Sequence, residues 1–277
     1  MAKVNLKLEP YEPVFEDHAL INKSFLNYYI YSSIKDKNPI EWDSIGIYRA
    51  VRTEKECNGF RRSHLVDGIA MAKFWTWRSK LNEIDDLEAA EYMDKLRAQQ
   101  EHNKGPSFET ISGGGPNAAV IHYHATPNNH ALITKDMIHL VDSGGQYLDG
   151  TTDVTRTFHF GNPSAEIKDS YTRVLLGVID VERLRMPAGR FHGGDIDILA
   201  RRHLWAVNKD YGHGTGHGVG YFQGVHEGPV ALSKYNTTNY QKGMIVTVEP
   251  GYYEAGQYGI RIEDMVLTME DNGWNYF

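Results

Sequence analysis

The chain reads as an α+β fold, because strands and long helices mix without strict βαβ alternation. Three observations predict this. Two capped helical stretches follow one another before the main strand signals, from Thr53 to about Lys80 and from Asp85 to about Gln100. A glycine break at Gly113–Pro116 then opens a run of strand-like segments. Two late strands, MIVTVE and GIRIEDMVLTM, follow with no helical pattern between them.

Each element has a local reason. Residues 1 to about 52 mix short apolar runs with Pro10, Pro13 and Pro39. Within them SFLNYYIYSSI (Ser24–Ile34) is apolar and aromatic but too short to fold alone. This stretch reads as the tail of an upstream domain, or as a lead-in to a main body over 53–277. Thr53-Glu54-Lys55-Glu56 has capping-box spacing, and an apolar stripe of Leu65, Ile69 and Ala72 supports the helix that follows. Asp85–Glu88 repeats that spacing, and Ala89, Met93 and Leu96 mark the second helix. Ala118–His124 and Met137–Asp142 read as strands, and another strand starts at Thr151. GGQYLDG joins the last two as a hairpin. Ile167, Tyr171, Val174, Val178 and Val181 recur at helical spacing, with Pro187 and Gly189 as the stop. Asp195 is a candidate cap for a helix through about Asn208, and a glycine-rich stretch runs from Gly212 to Gly228. Glu270–Gly273 reads as a turn before a closing strand, WNYF.

Composition narrows the function. The 277 residues suit one large domain, or one domain with a remnant of another. A net charge of −7, from 29 basic against 36 acidic residues, gives no electrostatic case for nucleic acid or an anionic membrane. No run approaches the roughly 20 apolar residues that span a bilayer. The charged start MAKVNLKLEPYEP lacks the apolar core of a secretory leader. The expected location is cytoplasmic. The single cysteine, Cys57, fits a reducing compartment and reads as a small buried group on a helix.

The chemistry lies in a few separated residues. Asp142 ends the apolar strand MIHLVD, and Asp153 shares a strand face with Thr151 and Thr155 across the predicted hairpin. A bulge is expected to bring the two carboxylates together. Taken alone, Asp142 reads equally well as the start of a turn at Ser143-Gly144-Gly145. Glu249 alternates with Ile245 and Thr247, and its strand stops abruptly at Pro250-Gly251. Glu263 shares a face with Arg261, opposite Ile260 and Ile262, which also suits a half-exposed strand. His213-Gly-Thr-Gly-His217-Gly-Val-Gly is too rich in glycine for a helical zinc motif, but glycine lets backbone approach a ligand or metal closely. His226 follows nearby in VHEGP. Four carboxylates converging with one imidazole would repel one another unless cations sat among them. That oxygen-rich set suits Mn²⁺, with Co²⁺, Zn²⁺ or Fe²⁺ as alternatives.

The words FRRSHLVDGIAM, FETISGGGPNAAVIHYH, LVDSGGQYLDGTTDVTRTFHFG, HGTGHGVGYFQGVHEGP, VTVEPGYYE and YGIRIED, in this order, resemble the pita-bread metallopeptidases. Among these they are most similar to the aminopeptidase P (Xaa-Pro aminopeptidase) family of the cytosolic eukaryotic type. The resemblance runs from about Pro39 to Met269. It implies a pita-bread fold with an internal pseudo-twofold, and two divalent metal ions. Asp142, Asp153, His217, Glu249 and Glu263 would be their ligands. It also implies that Glu249 is the general base and that His122, His213 and His226 bind substrate and steer protons. Among the histidines, His226 would steady the oxyanion, His122 would sit toward the scissile nitrogen, and His213 near the proline. Arg261 would orient an acidic ligand or relay protons. The implied reaction removes an N-terminal residue from a peptide with proline second, by a hydroxide bridging two metals. Family members of this type carry further N-terminal domains, and the resemblance leaves room for a homodimer. Two alternatives stand beside it: a prolidase-type dipeptidase, and a peptide-binding fragment without catalysis.

Overall fold

The computed structural model describes residues 20–22, 26–37, 39–41, 44–222 and 224–277. The charged N-terminal stretch with Pro10 and Pro13, and the first residues of the aromatic segment, lie outside them. The chain divides into two compact units, 1–47 and 48–277. In the first, the short strand Leu20–Ile21 pairs in parallel with Ile40–Glu41. Ile21 and Ile34 form its small core, with Leu26 and Ile30 packed against them.

The second unit carries every candidate site residue. Its first long helix, α1 (Glu54–Arg78), starts at the predicted capping box: Glu56 N–H donates to Thr53 Oγ1, and Thr53 N–H donates to Glu56 Oε2 at 2.8 Å. Asp85 caps α2 (Asp86–Ala98) by accepting from the amides of Leu87 and Glu88. Cys57 is buried on α1, as its composition suggested.

The stripe on α1 faces the opposite way from a core stripe. Leu65 is 70% exposed and Ile69 46%, and Ala72 is exposed as well. The inward side instead carries Phe60, Met71 and Phe74 together with Asp67 and Arg78. Two buried charged residues on the core face hide it from a pattern based on hydrophobicity alone.

Strands β1 (Ile111–Gly114), β2 (Ile138–Ser143) and β3 (Val154–His159) form an antiparallel sheet with β2 in the middle. Asp142 on β2 lies between Ile111 and Thr155. The strand expected over Ala118–His124 is absent. Gly115 takes φ +50°, and Pro116 opens a 3-10 turn over Gly115–Ala119. The amides of Val120 and Tyr123 donate to Asn117 O and Val120 O, so they are spent on turns and not on a ladder. The hairpin of Gly145–Tyr147 with Gly150–Thr151 is present. The strand then breaks at Thr152-Asp153 before β3 resumes, and this break does what a bulge was expected to do.

Ser164 caps α3 (Ala165–Glu182), which ends before Pro187 because Arg185–Pro187 is taken up as a strand against Trp274–Tyr276. In α4 (Gly193–Trp205), Asp195 lies in the first turn, where it accepts from His192 N–H at 3.0 Å, so the helix starts earlier than predicted. Asn208, at φ +59°, lies just beyond its end. The second sheet runs through β4 (Gly216–Val219), β5 (His226–Leu232), β6 (Ile245–Val248) and a later strand. That strand follows a hairpin of β7 (Gly251–Glu254) with β8 (Tyr258–Arg261), and is β9 (Asp264–Leu267). The order is β5-β4-β6-β9. The predicted closing turn is present, with Asn272 at φ +51° and Gly273 at φ +79° joining Met269–Asp271 to Trp274–Tyr276.

Phe74, Trp75, Met93, Ile133 and Val141 form the core beneath β2. Each such side chain contributes roughly 1.5–3 kcal/mol when fully buried. That packing holds the end of β2, and hence Asp142, in place. Among the described residues, no helix is long and apolar enough to cross a membrane.

Candidate metal centre

All nine residues singled out in the sequence line one cavity of about 420 Å³. The two halves of the second unit supply them separately. Asp142 comes from β2 and Asp153 from the break before β3. His217 lies on β4, Glu249 directly after β6, and Glu263 between β8 and β9. The halves are stitched at this point: Glu263 N–H donates to Thr155 O, and Thr155 Oγ1 donates to Glu263 Oε2 at 2.7 Å.

The half-exposed alternative for GIRIE does not hold. Arg261 is 2% exposed and Glu263 1%. Nor is Asp142 a surface turn, since β2 is buried along its whole length.

The ligand atoms of Asp153, His217 and Glu263 lie within 4.8 Å of one another. His217 Nε2 is 3.4 Å from Asp153 Oδ2 and 3.5 Å from Glu249 Oε1. His217 Nδ1 faces Gly218 O at 3.0 Å, a carbonyl that can only accept. Nδ1 therefore carries the proton, and Nε2 faces the carboxylates. Asp142 Oδ2 accepts from Arg261 at 2.7 Å, while Asp142 Oδ1, though buried, has no hydrogen-bond partner among the described residues.

Burial and mutual repulsion set the electrostatics. Burial pushes Glu249 up to about 7, with Asp153 and Asp142 adding to the rise. Glu263 and Asp153 are also raised, first by burial and then by the neighbouring carboxylates. Burial opposes the charged form of His217, but Asp153 and Glu249 outweigh it and raise its pKa. Among the described residues lining the cavity, Arg261 is the one with a permanent positive charge. One guanidinium cannot balance four carboxylates. A free carboxylate oxygen, an imidazole lone pair and a carboxylate cluster raised by self-repulsion are a donor set that fits hard divalent cations.

A second layer lies behind these groups. Arg261 Nη1 donates to Tyr253 Oη at 2.8 Å. His213 Nε2 is 2.8 Å from the same oxygen, and its Nδ1 faces Gly214 O at 2.7 Å. Burial lowers His213 to about 4, so its ring is neutral near pH 7. With Nδ1 donating to a carbonyl, Nε2 accepts and Tyr253 donates. The result is a directed chain from Asp142 through Arg261 and Tyr253 to His213. Burial pushes the Tyr253 hydroxyl up to about 12. His226 lies against His217, with ring centres 3.8 Å apart and planes tilted by 49°, and burial followed by His217 lowers it to about 4. His122 is exposed on the turn after the 3-10 helix and faces the cavity.

Tyr253, Thr155 and Thr247 escaped the sequence reading as site residues. Thr247 Oγ1 donates to Glu249 Oε1 at 3.0 Å. A period-two signal was available for both threonines, since each lies two residues from a candidate ligand. Tyr253 carried no such mark within GYYE.

The chain belongs to metallopeptidase family M24, whose model matches residues 58–270. It is 44% identical over 256 residues to Xaa-Pro aminopeptidase 2 of Mus musculus, covering 91% of this chain and 38% of that protein. A probable Xaa-Pro aminopeptidase P of Laccaria bicolor is 46% identical over 250 residues, covering 88% of this chain and 39% of that protein. The chain thus spans about two fifths of the length of these curated relatives. Among solved structures, X-prolyl aminopeptidase from Caenorhabditis elegans superposes with a TM-score of 0.88 at 34% identity, covering 94% of this chain and 44% of that one. It is described as a cytosolic enzyme with a di-nuclear active site. Prolidase from Pyrococcus furiosus superposes with a TM-score of 0.77 at 26% identity, covering 93% of this chain and 74% of that one. The fold is the pita-bread fold of this family.

Proposed function

We propose that this chain is the catalytic part of a dinuclear metalloaminopeptidase that cleaves the bond between an N-terminal residue and a following proline. The observation that carries this is the convergence of three buried carboxylates, the partly buried Glu249 and His217 Nε2 in one cavity with a single guanidinium. Family membership and the named relatives support the reaction class. Residues 1–52 are proposed as the lead-in from an upstream domain and 53–277 as the catalytic domain. The substrate is a peptide with proline second, and the location is the cytoplasm.

Asp142, Asp153, His217, Glu249 and Glu263 would hold the two cations, with Mn²⁺ as the proposed metal and Co²⁺ or Zn²⁺ as alternatives. When bound, two such cations supply a Lewis-acid centre that acidifies water and polarises a carbonyl. The remaining work falls to the protein. Glu249 takes a proton from the attacking water as general base. His226 steadies the scissile carbonyl oxygen as charge develops there. His122 faces the scissile nitrogen. Arg261 fixes one oxygen of Asp142 and, through Tyr253, the tautomer of His213 on the proline side. The imide nitrogen before proline carries no hydrogen, so the pocket has to accept a ring there. Phe108, Ile121 and Val225 give the cavity apolar walls for it.

Metal analysis of the purified chain, paired with peptide cleavage, tests the proposal. Two metal ions per chain are expected, with cleavage of Arg-Pro-Pro and none of the dipeptide Gly-Pro. Gly-Pro as the preferred substrate would favour a prolidase. No turnover by a folded, metal-loaded chain would favour a binding role. Light scattering on the same sample tests the homodimer that the family resemblance allows.

A further inference from the structure

Outside the cavity, one buried polar cluster ends on the loop that carries His213. Asp197 and Arg201 stand one turn apart on α4, and both are buried. Arg201 Nε donates to Asp197 Oδ2 at 2.8 Å. Its Nη1 donates to Tyr211 O at 2.8 Å and to Asp210 Oδ1 at 2.9 Å, and its Nη2 donates to His213 O at 2.7 Å. The guanidinium also lies over the Tyr211 ring, 3.9 Å from its centre. The other oxygen of Asp197 accepts from Thr215 Oγ1 at 2.5 Å. That uses the only hydroxyl hydrogen of Thr215, so Tyr211 Oη donates to Thr215 Oγ1 across their 2.6 Å contact. Thr215 O in turn accepts from Glu249 N–H at 2.7 Å.

This wiring needs an explanation. A buried acid–arginine pair often adds little net stability, because desolvation offsets the attraction. Its contacts here are concentrated on residues 210–215. Gly212 and Gly214 punctuate that stretch, and Gly216 follows it, so every second residue from 212 to 216 has no side chain of its own to anchor it. Glycine also loses the most conformational freedom on ordering, so fixed hydrogen bonds have to set the loop's shape. The same stretch presents His213 to Tyr253 and holds the backbone of Glu249.

We propose that Asp197 and Arg201 are positioning residues which, through Thr215 and the His213 carbonyl, fix the His213 ring against Tyr253 and so align the proline side of the substrate. This deepens the Xaa-Pro aminopeptidase reading and rests on it. Neither residue touches the peptide. Their effect is geometric, and misplacement of a positioning group by about 1 Å can cost on the order of a hundredfold in rate.

Thr215 gives the sharpest test, on the full chain with Mn²⁺ added. Thr215→Val keeps the shape and removes the hydroxyl, whereas Thr215→Ser keeps the hydroxyl and loses a methyl. Thr215→Val is expected to lower kcat/KM for Arg-Pro-Pro by roughly ten- to a hundredfold. Thr215→Ser is expected to restore most of it. The ring ¹⁵N resonances of His213, recorded on the metal-free chain so that paramagnetic Mn²⁺ does not broaden them and assigned by their loss in His213→Gln, report the same geometry without turnover. They should shift away from the single Nδ1-protonated tautomer in Thr215→Val and stay in place in Thr215→Ser. Arg201→Lys, which cannot reach Tyr211 O and His213 O together, should reproduce the loss and stands in if Thr215→Val does not fold. Wild-type kcat/KM and unmoved resonances in Thr215→Val would overturn the proposal, as would a Thr215→Ser chain impaired as much as Thr215→Val. An inactive wild type would sink the aminopeptidase reading alone, because the resonances still decide the brace.

Discussion

Two buried acidic sites in this molecule solve the same problem in opposite ways. Asp67 on α1 faces Arg97 on α2: Nε donates to Oδ1 at 2.7 Å and Nη2 to Oδ2 at 2.9 Å, with Tyr147 Oη donating as well. Burial disfavours the charged form, but Arg97 and these hydrogen bonds overcome it and hold the Asp67 pKa below the usual carboxylate range. In the cavity, Glu249, Glu263 and Asp153 are pushed the other way by burial and by one another. A buried acid with its own arginine is finished structure. A buried acidic cluster without enough counter-charge is a structure awaiting a cation. Arg97 Nη2 also donates to Ser143 O, next to Asp142, so the charge-paired cluster braces the cluster short of counter-charge.

Removing chemistry from the cavity should give the largest effect. Glu249→Ala is expected to lower Xaa-Pro cleavage by about a thousandfold or more while the chain stays folded by circular dichroism. Retained turnover would refute the general-base role. The sharpest contrast pairs Asp67→Asn with Glu263→Gln, each measured by denaturant unfolding without metal. Asp67→Asn leaves Arg97 buried and unpaired, and should cost about 3–5 kcal/mol. Glu263→Gln removes like-charge repulsion and should leave the metal-free chain equally stable or more so. If both variants lose stability equally, the contrast between the clusters is wrong.

Metal linkage follows. Free Mn²⁺ at a hundred times its dissociation constant should add about 2.7 kcal/mol for one site, and a chelator should remove that gain. Glu263→Gln should abolish most of it. Activity restored only by Zn²⁺ would replace Mn²⁺ in the assignment.

Acid should reveal a buried histidine. His139 sits on β2 between Arg78 and Ser112, and burial, followed by the Arg78 charge, lowers it to about 3. Its folded pKa lies below the unfolded value, so the unfolded chain binds the extra proton between about pH 6.5 and 3. The stability it contributes is complete above about pH 6.5 and is lost as pH falls, by up to about 1.4 kcal/mol per unit. Asp67 has the same sign at lower pH, since its stabilisation is present above its unfolded pKa and is lost below it. His139→Gln should flatten the upper part of this limb in thermal melts. A slope unchanged between pH 6.5 and 4 would show that His139 is not its source.

The smallest effect belongs to the outward face of α1. Leu65→Lys and Ile69→Lys should each change stability by no more than about 0.5 kcal/mol, because both side chains already meet solvent. A loss of several kcal/mol in thermal melts would mean that this face is covered.

Local signals were readable wherever the interaction itself is local. The capping box at Thr53, the cap at Asp85 and the Asn272-Gly273 turn each depend on bonds spanning a few residues, and the sequence displays both partners side by side. The stripe on α1 misled because its buried side carries Asp67 and Arg78, whose partners lie on α2 and beside β2. Ala118–His124 misled because strand propensity says nothing about Gly115 at positive φ and the turns that follow.

The order of residues alone determined the capped starts of α1 and α2, the donor types that Asp142, Asp153, His217, Glu249 and Glu263 offer, and the family to which such words belong. Tertiary structure decided that Arg261 and Glu263 point inward, that Tyr253 links Arg261 to His213, and that Asp197 and Arg201 reach the glycine loop. The reason is distance along the chain. A cap is written within four residues, whereas Thr155 meets Glu263 across a separation of 108. Only the folded sheets bring such groups close enough, and dry enough, for their charges to matter.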